Sequence, residues 1–173
     1  MTRTGWQNAW VRAVTTLLVA AMMVMIFCFS MENAEESDQR SGMISMLIIR
    51  IFYPEYEKTN EVQQKAVYDK VQHIVRKFAH FTEYMLLGFL IRLCLESWFG
   101  HRMKRYRILA LIGFGMGTAY ACTDEAHQLA IDGRSGQWTD VLIDGSGVLA
   151  GVTLGTLLIK SLARKTEDET RPG

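Results

Sequence analysis

The chain has 173 residues, of which 19 are Lys or Arg and 18 are Asp or Glu, so its formal charge is +1. That length suits one domain or two small ones, and the near balance of charge excludes a generally basic nucleic-acid binder and an acidic disordered chain, since both need a large charge of one sign. Its three cysteines, Cys28, Cys94 and Cys122, stand far apart inside apolar runs; they form no CxxC pair, imply no disulfide framework and read as small hydrophobes.

A mean hydropathy near zero conceals two unlike materials, because apolar residues gather in four blocks and charges gather between them. From Ala13 to Met31 run 19 residues without a charge, enough at about 1.5 Å per residue to cross a hydrocarbon core of about 30 Å. A cleaved signal peptide is the rival reading, given Arg3 and Arg12, but the positions after Ser30 and Ala34 have poor small-x-small context. The stretch from Glu32 to Arg76 is then a loop. Inside it, the run from Gly42 to Pro54 is too short to span and contains Arg50, which predicts a short helix lying at the interface or packed on the bundle and ended by Pro54. Asn60 with Gln63 three residues later reads as a capping box. Apolar residues then recur at Val67, Val71, Ile74, Phe78, Phe81 and Met85, so one helix is expected from about Glu61 straight into the second span.

The second block, Phe78 to Leu95, carries His80, Glu83 and Arg92. The third, Ile108 to Leu129, holds no charge before Asp124, and the fourth, Val141 to Ile159, is interrupted only by Asp144. Nothing else in the chain is polar enough to coat four such helices in water. The expected fold is an all-α membrane protein with four transmembrane helices, at about 13–31, 78–95, 108–129 and 141–159, and an outer loop, 32–76, with one or two short amphipathic helices. Residues 1–165 would form a single integral membrane domain, and 166–173 a disordered tail.

Lysine and arginine set the orientation. Arg102, Lys104, Arg105 and Arg107 lie between the second and third spans, and Lys160, Arg164 and Lys165 follow the fourth, so these segments are expected in the cytoplasm together with Arg3 and Arg12. The 32–76 stretch has six Lys or Arg against eight Asp or Glu and belongs outside. The chain is thus expected to be multi-pass in the bacterial cytoplasmic membrane with both termini cytoplasmic. Gly147, Gly151 and Gly155 repeat every four residues along the fourth span, as Gly113 and Gly117 do on the third, which predicts close helix contacts.

With that topology the intramembrane polar groups share one leaflet. Lys77, His80 and Tyr84 fall on one face of the second helix, with Glu83 beside them; Asp124 and Gln128 share a face of the third, flanked by Glu125 and His127; Asp140 and Asp144 share a face of the fourth. Such groups persist in a membrane only by pairing, lining a wet cavity or neutralising one another. Five carboxylates, Glu83, Asp124, Glu125, Asp140 and Asp144, face the fixed cations Lys77 and Arg134, an excess of three. Protonated His80 and His127, proton-bearing acids, or a bound cation could each restore balance. Individually, His73 and His101 read as solvated residues, Arg92 as a side chain snorkelling to the cytoplasm, and the methionines as lipid-facing filler.

The segment KFAHFTEYMLLG, Lys77 to Gly88, followed by TDEAHQLAIDGRSGQWTDVLIDGSGVLAG, Thr123 to Gly151, resembles the VanZ-like family of bacterial membrane proteins. The resemblance covers roughly Lys77 to Gly155 and the four-span layout. It departs from the family pattern at Asp144, where asparagine is common, and at Asp132, where proline is common. What the resemblance implies is an envelope protein, since the founding members are linked to teicoplanin resistance; a fold-level likeness does not supply a reaction.

Two functions remain open on these residues. One is a non-enzymatic, accessory envelope protein whose outer-leaflet pocket binds a lipid or lipid-linked headgroup, with Lys77 and Arg134 on phosphate or carboxylate, the acids balancing them or accepting ammonium or hydroxyl donors, and Tyr84 and Trp138 as interfacial anchors. The other is a membrane-embedded enzyme in which His80, Asp124 and Glu125 act as acid and base, or join His127 around a divalent cation. The i, i+3 spacing of His80 with Glu83 and of Asp124 with His127 suits metal ligands, but no matched Glu-x-x-His pair completes a set, and GxSxG, HExxH and Walker patterns are absent. No metal or cofactor is therefore assigned. A buried ion-pair network that only fixes helix register is the third reading. Transport is disfavoured because the cytoplasmic halves read as apolar. Membrane lipid or a lipid-linked precursor is the expected partner, nucleic acid is not, and the oligomeric state is left open.

Overall fold

The computed structural model describes residues 8–31, 34–100, 106–128 and 138–170. These residues form α1 (Ala9–Ser30), α2 (Ala34–Phe52), a 3₁₀ turn (Tyr56–Lys58), α3 (Glu61–Phe99), α4 (Tyr106–Gln128) and α5 (Trp138–Thr170), with no strand among them. Three stretches, Ala9–Ser30, Glu61–Phe99 and Thr139–Lys165, are long and apolar enough to cross a membrane. α4 has 23 residues but is less apolar, because Gly113, Gly115, Gly117, Arg107 and the Asp124–Glu125 end dilute its leucines and isoleucines. Its fellow helices present large side chains outward, among them Leu17, Val24, Phe78, Leu149 and Leu157, as lipid-facing helices do.

α3 is the mast on which every other helix packs. Its 39 residues, at about 1.5 Å each, make a rod of about 58 Å, nearly twice a hydrocarbon core of about 30 Å. α2 lies against the first half: Ser45 and Ile49 are fully buried there, and Gln72 Nε2 donates to Ser41 Oγ at 3.4 Å. α2 starts at Ala34, eight residues before the apolar run that suggested it, because Ala, Glu, Gln and Arg are good helix formers. α1, α4 and α5 gather round the second half of α3. The core there joins Met22 and Ile26 of α1, Leu87, Ile91 and Leu95 of α3, Leu109 and Ala121 of α4, and Val148 and Val152 of α5. Met22 is thus a core residue rather than lipid-facing filler.

The start of α3 follows from its cap. Asn60 is extended (ψ 160°) and its side chain accepts from the Gln63 amide at 2.9 Å, which satisfies one of the helix's otherwise unpaired N–H groups. Gln64, not Gln63, provides the second tie, donating from Nε2 to the carbonyls of Tyr56 and Thr59 at 3.1 Å each. Asn60→Ala is expected to lower stability by about 1 kcal/mol, read as a reduced unfolding temperature in detergent, while Gln63→Ala should be near neutral.

α3 and α5 make the most extensive contact in the molecule, and glycine is the reason. A Cβ on Gly147 would run into the Phe81 carbonyl, one on Gly151 into the Met85 carbonyl, and one on Gly155 would stand 3.1 Å from Arg92 Cβ. In return α5 approaches Gly88, where a Cβ would lie 2.5 Å from the Val148 carbonyl oxygen. Side chains of α5 also fill α4: a Cβ on Gly117 would be 2.6 Å from Val148 Cγ1.

The expected snorkelling of Arg92 does not occur. Its side chain is fully buried, with Nη1 on Glu96 Oε2 at 3.1 Å and Nε on Thr156 Oγ1 at 3.0 Å. Alongside, Thr15 and Ser97 hydroxyls meet at 3.1 Å, and Arg12 donates to the Ser97 carbonyl at 3.1 Å and lies 5.3 Å from the Trp98 ring centre. The premise that this half of the bundle is apolar is corrected by these contacts. Glu96 sits four residues after Arg92 on the same face, and an arginine whose partner is so placed has less need to reach for water than one alone. His73, by contrast, is exposed.

Candidate functional site

At the other end of the core, α3, α4 and α5 bring the sequence-predicted polar residues together. On α3, successive turns present Lys77, His80 and Tyr84 toward α5 and α4. Lys77 Nζ meets Asp140 Oδ1 at 2.8 Å, and both side chains keep contact with the exterior, at 28% and 37% exposure. One turn inward, His80 Nδ1 is 3.9 Å from Asp144 Oδ1. Asp144 is itself buried, and so are Asp124, Glu125 and Gln128 of α4. Gln128 Nε2 donates to Asp124 Oδ2 at 3.2 Å, one turn along the same face. Tyr84 is fully buried, its ring is 6.3 Å from that of Tyr120, and its hydroxyl has no hydrogen-bond partner.

The arrangement has a direction. Lys77, Asp140 and His80 form a partly exposed rim, and burial deepens to Asp144, Asp124 and Tyr84. Asp124, Glu125, Asp140 and Glu83 act on Asp144, so the acids of this site oppose one another's ionisation. Among the described residues, Asp124 Oδ1, Asp144 Oδ1 and the Tyr84 hydroxyl are buried without a hydrogen-bond partner, as are Thr118 Oγ1 of α4 and, away from the site, Ser30 Oγ and Arg92 Nη2. Buried polar atoms are nearly always satisfied in proteins, so three orphans in one place call for an explanation. Among the described residues no group of three or more His, Cys, Asp or Glu stands close enough to hold a metal ion.

Asp144 is the buried acid of α5, whereas Asp140 lies at the rim. His127 faces away from the acids toward α1, with its ring 5.0 Å from that of Phe27. Arg134, the 129–137 link and the ring of Trp138 lie outside the described residues, as do Arg3, Arg102, Lys104, Arg105 and Asp132. Tyr120, which sequence reasoning passed over, ties α4 to α1 by donating to the Met23 carbonyl at 2.6 Å. Its signal was its place four residues before Asp124, on the same helix face.

Comparison with curated proteins and with solved structures gives no match to this chain. A family model, VanZ/LLP1, matches residues 15–159, a span that takes in most of α1, α2 through α4, most of α5 and every described residue of the site. With three apolar helices of membrane-crossing length and that match over most of its sequence, the chain belongs to the VanZ/LLP1 family.

Proposed function

We propose that this protein is a non-enzymatic, accessory component of the cell envelope, whose polar pocket opens at the outer leaflet of the bacterial cytoplasmic membrane and binds the headgroup of a lipid or lipid-linked precursor. Occupancy of that pocket lowers susceptibility to teicoplanin-type lipoglycopeptides by changing what such drugs meet at the surface. In this reading α4 is the third of four spans, both termini are cytoplasmic, and the segment carrying α2 lies outside. The supporting observation is the graded site itself, a half-exposed ion pair leading to buried oxygens without partners. A binding site completes such oxygens with its ligand.

A second reading, a membrane-embedded enzyme, draws on the His80–Asp144 approach, in which a carboxylate orients an imidazole that could move a proton. The two separate by experiment. Asp124→Asn and His80→Ala proteins are expected to reach the membrane at normal level and to lose at least fourfold in the drug concentration tolerated by the host, with an unchanged lipid profile. A lipid species that appears or vanishes with the wild-type protein, and not with either variant, would establish the enzyme. Loss of the variants themselves from the membrane would return the site to a structural role.

A further inference from the structure

The second half of α2 takes no part in the polar site. Ser41–Phe52 is apolar but too short to span, and one of its faces is spent on α3, where Ser45 and Ile49 are fully buried and Ser41 meets Gln72. The opposite face is apolar as well. Met43, Ile44, Leu47 and Ile51 are 83%, 53%, 59% and 63% exposed, and helical periodicity places them across the axis from Ser45 and Ile49. A helix that is apolar on both sides is built to be covered on both.

The bilayer does not supply the second cover. Ser41 lies beside Gln72, and the turn at Tyr56–Lys58 leads back to the start of α3 at Glu61. α2 therefore runs antiparallel to α3, and Ile44 to Ile51 stand level with the stretch between Gln72 and Glu61. That stretch shows Glu61, Lys65, Asp69 and Lys70 to the exterior, which places this level in water; the apolar part of α3 begins only at Phe78. A second copy of the chain meets the stripe at the right height by construction, since two chains inserted alike in one membrane hold α2 in the same direction and at the same distance from the bilayer. The residue types suit that partner. Ile44, Leu47 and Ile51 recur at steps of three and four, the a-d-a pattern of a coiled coil, and isoleucine at a with leucine at d favours parallel pairs. Arg50 falls on the flank of this seam, where it stays in water.

We propose that α2 is a self-association surface: two copies in one membrane pack α2 against α2 in parallel, about a two-fold axis along the membrane normal, with Ile44, Leu47 and Ile51 in the seam. Together with Met43 and Phe52, the stripe offers on the order of 600 Å² per copy, or roughly 1,200 Å² for the pair, the lower edge of a standard interface. Confinement to one membrane raises the effective concentration and offsets that modest area.

The test is disulfide linking of the full chain in membranes, with Cys28→Ala, Cys94→Ala and Cys122→Ala removing the native thiols. Leu47→Cys is expected to give roughly tenfold or more covalent dimer on oxidation than Lys70→Cys, which lies on the water-facing side of α3. Leu47→Glu in the native chain should convert a dimer to a monomer, read by light scattering in detergent. Linking at Leu47→Cys no better than at Lys70→Cys, or a dimer mass that survives Leu47→Glu, would overturn the proposal. So would a Leu47→Cys protein that stays unlinked yet shielded from a water-soluble maleimide, a result that would assign the face to lipid.

Discussion

Gly151→Ala is expected to remove most of the folded protein, although it adds a single methyl group to a helix. That methyl would collide with the Met85 carbonyl and lie 2.7 Å from the Phe89 amide nitrogen, both of them backbone atoms of α3. A flexible side chain could swing aside; a helix backbone can yield only by moving α3 and α5 apart. Separation would loosen Gly88 on Val148 and Gly147 on Phe81, and it would pull Arg92 away from Thr156. Overpacking typically costs about 1–3 kcal/mol, occasionally more, and a membrane seam held by close packing has no hydrophobic reserve with which to offset it. Gly115→Ala is the control, because a Cβ there meets nothing within 4 Å; alanine is the better helix former by about 0.8–1.0 kcal/mol, so that variant should be neutral or slightly stabilised. Thermal unfolding of both proteins in the same detergent decides the matter, and coincident curves would show that the two helices do not meet at Gly151 as closely as described.

The second large effect belongs to the Arg92–Glu96 pair. Removing either charge leaves the other buried without its partner, in a place shielded by α1, α4 and α5, and such single deletions cost about 3–5 kcal/mol. Arg92→Met and Glu96→Gln are each expected to unfold far earlier than the parent. The double replacement Arg92→Met with Glu96→Met should recover most of the loss, since well-packed apolar residues often match or exceed a buried ion pair. Additive losses in that cycle, read from unfolding midpoints, would mean that the two side chains act independently. Because Arg92 also holds Thr156 at 3.0 Å, Thr156→Val should cause a smaller loss than either charge deletion.

These two predictions differ in how far the sequence could have led to them. The glycines at 147, 151 and 155 are visible as a period-four stripe, and that spacing alone puts them on one helix face. Which helix they meet is not visible: only the packed structure identifies Phe81, Met85 and Phe89 of α3 as the backbone they approach. Arg92 was misread because a lone arginine in an apolar helix is ordinarily resolved by reaching the nearest interface. Its actual solution depends on Thr156, 64 residues away, and no local pattern reports a partner at that distance.

The polar site divides in the same way. Helical periodicity and charge position suffice to place Lys77, His80 and Tyr84 on one face, Asp124 with Gln128, and Asp140 with Asp144, because the 3.6-residue turn is a local property of the backbone. The membrane character follows just as locally from the length and apolarity of the helices. Tertiary packing decided the rest: that Lys77 pairs with Asp140, that Asp144 and not Asp140 is the buried acid, and that the Tyr84 hydroxyl is buried without a hydrogen-bond partner. Those outcomes depend on how three helices rotate and translate against one another. That relation is fixed by side-chain volume at contacts such as Gly88 with Val148, and it is encoded only in the sum of many such contacts.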